Sequence, residues 1–297
     1  MSATLTSKAS EVQNGVWVML RCMAIALFCT QAVAGEEETD TGFFSYFPAP
    51  PEFNLPKLEF VPFWTSDLKR ARKSYNSGDY STALKHFRKE SEDGNPVADW
   101  YLGHMYRLGR GVLTDHAVAY SYYSRVAESY DPDETDANRL RITVDSQMQL
   151  TNYMRSGVEA AGIKANPAAA AKSYLRIASN YGHSMAMFEL GVMNIDGAGV
   201  KQNPQQGLKW LIAAARKRNL HAEAFLGELY WKGELVRRDE TRALMWYALA
   251  TRSAGGGADS GIAMRAKEIR AAVDEDVRLE ADARARVWAE QYPTGKD

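Results

Sequence analysis

The sequence predicts an all-α protein built as an α-solenoid of helix–turn–helix repeats with a C-terminal helical cap. Three observations carry that expectation. Large side chains recur every 36 residues at Tyr174, Trp210 and Trp246. The same spacing relates Leu190 to Leu226, Gly191 to Gly227, Gly197 to Gly233 and Val200 to Val236. A third copy starting at Ala98 keeps the internal spacing with Leu102, Gly103, Gly109 and Val112. Self-similarity at a fixed period of about 20–50 residues marks stacked hairpins that bury their apolar faces on one another.

Residues 1–34 come first. Residues 16–28 are largely apolar, interrupted by Arg21, and Ala32-Val33-Ala34 precede Gly35-Glu36-Glu37-Glu38. The apolar run is shorter than the roughly 18–20 residues that span a bilayer. Small residues and then acids after it read as a signal peptide cleaved near Ala34. Met19 is an alternative start, with Arg21 as the basic region. Both cysteines, Cys22 and Cys29, fall in this segment. The mature chain is therefore expected to be periplasmic, soluble and free of disulfide or thiolate chemistry.

Residues 35–66 form a linker, acidic at first. Pro48, Pro50, Pro51, Pro56 and Pro62 are half of the chain's 10 prolines, which disfavours helix and favours extended backbone. Phe43, Phe44, Tyr46, Phe47, Phe53, Phe60, Phe63 and Trp64 crowd the same stretch. A plain spacer has no use for so many rings. They either cap the array or dock on a partner.

Residues 67–254 are expected to hold about five helical pairs. The first, residues 67–94, resembles a tetratricopeptide-like pair with Gly78-Asp79 at its turn. In the clear units, Leu102, Leu190 and Leu226 mark the buried stripe of a first helix. The next residue is Gly103, Gly191 or Gly227, small enough for close helix approach. Gly109, Gly197 and Gly233 suit left-handed C-terminal caps. Asp115, Asn203 and Asp239 suit N-caps of the second helix, with Pro204 at the first helical position. Tyr122, Trp210 and Trp246 are expected to anchor that helix to the next unit. An acidic, Asp/Pro-rich loop near 130–138, a lengthened helix over 140–156 and a loop over 157–165 separate the first clear unit from the others. After a glycine-rich hinge at 253–257, residues 255–297 read as capping helices.

A net charge of -1 and a pI near 6.6, with no long Lys/Arg block, disfavour nucleic acid as a partner. No catalytic constellation emerges. His86, His104, His116, His183 and His221 include no pair at metal-ligand spacing on one helix. Gly109-Arg110-Gly111 and Gly197-Ala198-Gly199 are inter-helix turns, not phosphate loops, and nothing calls for a cofactor. The expectation is a non-enzymatic binding protein. In superhelical arrays the first helices line a groove, and residues flanking the Leu-Gly pair point into it. Those are Trp100, His104 and Arg107, then Phe188, Val192 and Asp196, then Glu228, Trp231 and Lys232. This mix of aromatic, aliphatic and charged groups suits a protein interface.

The Leu-Gly pair, the Gly-x-Gly-Val turn, the Asp cap and the following Ala-x-x-Trp resemble the Sel1-like repeat family over residues 67–251. Asn194 in place of a tyrosine, Leu235 in place of the second turn glycine and a degenerate second unit depart from its pattern. The whole arrangement is similar to periplasmic negative regulators of exopolysaccharide production in alphaproteobacteria. That resemblance implies a protein partner, the periplasmic domain of a membrane sensor histidine kinase held inactive. A structural adaptor in polysaccharide export or a flagellar motor is the alternative. A peptidoglycan- or β-lactam-processing enzyme is a third reading, disfavoured because the exported relatives linked to it are cysteine-rich.

Overall fold

A computed structural model describes residues 65–131, 134–254 and 260–293, all within a single compact unit. The expected signal peptide, the expected aromatic linker up to residue 64 and the glycines of the hinge lie outside the described residues. Among the described residues twelve α-helices follow one another: α1 (Ser66–Asn76), α2 (Tyr80–Glu92), α3 (Pro96–Leu108), α4 (His116–Glu128), α5 (Ala137–Ser156), α6 (Pro167–Tyr181), α7 (Ser184–Asp196), α8 (Pro204–Arg216), α9 (Leu220–Lys232), α10 (Glu240–Ser253), α11 (Ser260–Ala271) and α12 (Glu275–Gln291). A single 3₁₀ turn, Glu159–Ala161, and an isolated bridge between Val158 and Ile163 interrupt the α5–α6 connection. No strand occurs among the described residues. The protein is an all-α solenoid.

Local chemistry sets the boundaries. Thr65, Asp79, Asn95, Asp115, Asp136, Asn166, Asn203, Asn219 and Asp239 each accept a backbone N–H at a helix start. Gly109, Gly197 and Gly233 end α3, α7 and α9 at φ of 67°, 74° and 73°, a conformation that a Cβ penalises.

Hairpins form between α1 and α2, α3 and α4, α5 and α6, α7 and α8, and α9 and α10, while α11 and α12 both pack on α10. The glycine after each leucine is required by the crossing inside a hairpin. A Cβ on Gly103 would lie 2.8 Å from the Tyr123 ring, one on Gly191 2.8 Å from Leu211, and one on Gly227 2.7 Å from Tyr247. The turn glycines make the contact between hairpins: Gly111 lies against Tyr80, and Gly199 lies against the Pro167 carbonyl group. At the corresponding place in the last repeat, Leu235 stands over Pro204 and Gln205 and borders a cavity of about 70 Å³.

Two of the expected anchors behave differently. Tyr122 is half-buried and stacks on Tyr106 of its own hairpin at 5.8 Å; its neighbour Tyr123 is fully buried at the helix crossing. Trp210 packs back against the cluster built from α5, α6 and α7. Trp246 does reach the following element, meeting Trp288 of the cap edge-on at 4.8 Å.

The lengthened helix α5 serves two cores. Ile142 and Tyr153 join a cluster with Phe87, Trp100, Leu102 and Tyr123, while Val144 and Met148 join one with Tyr174, Ile177 and Leu190. Between these sets α5 buries Thr143, Asp145, Ser146, Gln149 and Thr151.

Candidate partner-binding surface

The first helices are enclosed more completely than a groove lining requires. Every residue of α3 from Val97 to Met105, and of α9 from Ala222 to Leu229, is buried. Trp100, His104 and Glu228 have no exposure and Val192 only 8%. These four, expected to face a partner, are interior residues. The reason lies in the next element along the chain: α5 closes over Trp100 and His104, and α11 closes over Glu228.

Both closures are polar. Asp145 on α5 accepts the Trp100 indole N–H at 2.7 Å and lies 2.9 Å from His104 Nε2, while Gln149 donates to its other oxygen at 3.3 Å. An ionised carboxylate only accepts, so His104 carries its proton on Nε2 and its Nδ1 accepts the Tyr123 hydroxyl at 3.0 Å. Burial lowers the His104 pKa against the opposing pull of Asp145. Burial alone would raise Asp145, but the His104 ring and the His104 and Trp100 hydrogen bonds hold it below 3.8. In the last repeat, the Tyr247 hydroxyl donates to Glu228 Oε2 at 2.7 Å, and Arg265 of α11 donates to both oxygens at 3.2 and 3.3 Å. Tyr123 and Tyr247 each follow the glycine of their unit by twenty residues, and His104 and Glu228 follow it by one. The middle repeat places Val192 and Leu211 at these positions and has an apolar joint.

The carboxylate, imidazole and phenol around His104 therefore form a sealed structural chain to which no substrate has access. The described residues hold no cluster of three or more groups able to bind a metal ion. The cavity beside Leu235, about 70 Å³, is far below the roughly 300 Å³ of a small-molecule site, while an open hollow of about 400 Å³ lies along the 156–165 loop.

The remaining expected residues are reachable but scattered. Arg107 is half-buried beside the Tyr123 hydroxyl. Phe188 lies against His221 at 5.8 Å and Phe225 at 6.0 Å. Trp231 is covered by the Arg238 guanidinium, 4.8 Å from its ring centre. Lys232 approaches Glu228 at 3.8 Å, and Asp196 is exposed at the end of α7. Contacts join Trp100 to His104 and Glu228 to Lys232, not all nine. Sequence reasoning missed a half-exposed platform of Tyr106 and Tyr122. Arg88 donates to the Tyr106 hydroxyl at 2.7 Å, and Arg125, paired to Asp99 at 3.1 Å, lies 5.6 Å from the Tyr122 ring centre. Its one hint was the Tyr122-Tyr123-x-Arg125 run, whose first tyrosine was assigned to the core.

Fold and surface together define a helical repeat protein of the kind that works through protein contacts. The Sel1 repeat model matches residues 96–131, 184–219 and 220–254. Those segments correspond to α3–α4, α7–α8 and α9–α10. The chain is 30% identical over 167 residues to an exopolysaccharide production negative regulator of Rhizobium leguminosarum bv. viciae, covering 56% of this chain and 61% of the relative. It is likewise 30% identical over 168 residues to the exopolysaccharide production negative regulator of Rhizobium meliloti (strain 1021), covering 55% and 61%. The chain thus spans less than two thirds of the length of these relatives. A Sel1 repeat protein from Oxalobacter formigenes superposes with a TM-score of 0.47 at 24% identity, covering 76% of this chain and 85% of that one.

Proposed function

We propose that this chain is a protein-binding negative regulator of exopolysaccharide production, exported to the periplasm, where it holds the sensing domain of a membrane histidine kinase inactive. The observation that carries this reading is the shared 167-residue stretch with the Rhizobium regulator. The sealed His104 network supports a binding role over catalysis. None of the described helices is long and apolar enough to cross a membrane. Candidate contact residues are Arg107, Phe188, Asp196, Trp231 and Lys232, with the Tyr106–Tyr122 platform as a neighbouring hot spot of favourable composition.

The test is capture of the kinase's periplasmic domain by the purified chain. Arg107→Ala with Trp231→Ala should weaken capture while circular dichroism stays unchanged. Full capture by the folded double variant would remove this surface from the reading. Deleting the gene distinguishes the adaptor alternative: a regulator predicts raised expression of envelope genes, an adaptor the loss of an assembly.

A further inference from the structure

The last helix of a solenoid ordinarily turns a polar face outward. Here α12 does not. Ala281 and Ala285 are fully buried against the array, and at 100° per residue the opposite face carries Leu279, Ala283 and Val287 in one stripe. Leu279 is 60% and Val287 63% exposed, and Ala283 is exposed between them. Arg270 clamps Asp282 through two hydrogen bonds of 3.0 and 2.8 Å, so the stripe is held on a fixed helix.

We propose that this stripe is the contact of a weak two-fold homodimer in which α12 packs antiparallel on α12 of a second copy, crossing at Ala283. The helix is self-complementary about that residue. Leu279 of one copy falls beside Val287 of the other, and alanine at the crossing admits close approach of the helices. Glu280 and Arg284, paired at 2.6 Å within one helix, lie on the same flank. Across the axis Glu280 falls within one turn of Arg284 of the second copy, while the two Arg284 side chains approach each other beside Ala283, the isologous pattern of a two-fold interface. A single helix pair covers less than the roughly 1,600 Å² of a standard stable interface, so the dimer is concentration-dependent. The same axis brings Asp276 beside Glu290 of the second copy, a like-charge contact that limits affinity. This inference is independent of the kinase reading.

Sedimentation velocity of the full chain should show reversible monomer–dimer exchange. Leu279→Glu with Val287→Glu should raise the dissociation constant about tenfold or more, without change in circular dichroism. Asp276→Asn with Glu290→Gln should lower it. In a chain with Cys22 and Cys29 changed to serine, Ala283→Cys should crosslink to its own symmetry mate under mild oxidation. Leu175→Cys, exposed on α6, should not. A wild-type chain that stays monomeric at every concentration overturns the proposal. So does a dimer that Ala283→Cys fails to trap.

Discussion

Arg218 and Glu223 form a buried ion pair at 2.7 Å, and it exists because Arg218 adopts a left-handed backbone, φ 58°. The matching turn positions hold Gly94 and Gly182, also at positive φ. Glu223 corresponds to Asp99, whose arginine, Arg125, comes from α4 instead. The last repeat trades backbone comfort for a cation delivered from the turn. Arg218 also donates to Ser253 at 2.9 Å, tying the turn to the end of α10.

Arg218→Gly should relieve about 1–2 kcal/mol of backbone strain yet lower stability, because stranding a buried carboxylate costs about 3–5 kcal/mol. Adding Glu223→Gln should recover much of that loss. Urea denaturation of the two single variants and the double variant measures the coupling; additive effects would dissolve the pair as an energetic unit.

Gly199→Ala should cost far more than Gly162→Ala. Both positions have positive φ, but a Cβ at Gly199 collides with the Pro167 carbonyl group, and one at Gly162 meets nothing within 4 Å. Strain alone is worth about 1–2 kcal/mol, and the overpacking adds about 1–3. Thermal midpoints of the two variants decide it.

Tyr123→Ala should cost about 3–5 kcal/mol, while Tyr122→Ala loses only a half-exposed stack worth about 1 kcal/mol. Equal losses would contradict the assignment of Tyr123 to the crossing. Tyr122→Ala is also the variant that should weaken partner capture without unfolding the array.

The His104 joint gives stability a pH dependence of known sign. His104 titrates below its unfolded value near 6.5, so the folded chain binds fewer protons in that range. Its contribution is full above that value and is lost as pH falls toward the folded pKa. Asp145, also lowered, adds a loss of the same sign further into acid. His104→Gln, which can donate to Asp145 and accept from Tyr123, should flatten the stability profile below about pH 6.5. An unchanged slope would place the titrating group elsewhere.

Much of the architecture was readable because each repeat position answers to one steric demand. Leu-Gly pairs, left-handed glycine caps and Asp or Asn N-caps declare themselves by residue type and spacing. The candidate surface was less readable. Trp100 and His104 sit at positions that face open space in a regular array, and only the inserted helix α5, with Asp145 aimed back at them, closes over them. Nothing in the repeat period announces that cover. Tyr122 and Tyr123 differ by one residue, and the 36-residue alignment of aromatic side chains selected the wrong member, because the middle repeat fills the true crossing with Leu211.

Helix α5 contributes to two hydrophobic clusters and buries polar groups between them. A seam of this kind divides cooperativity, since contiguous apolar packing is what makes neighbouring elements melt together. The N-terminal hairpins can then open while those beyond α5 remain intact. Protease nicking and amide exchange should report a front segment that opens more readily than the rest.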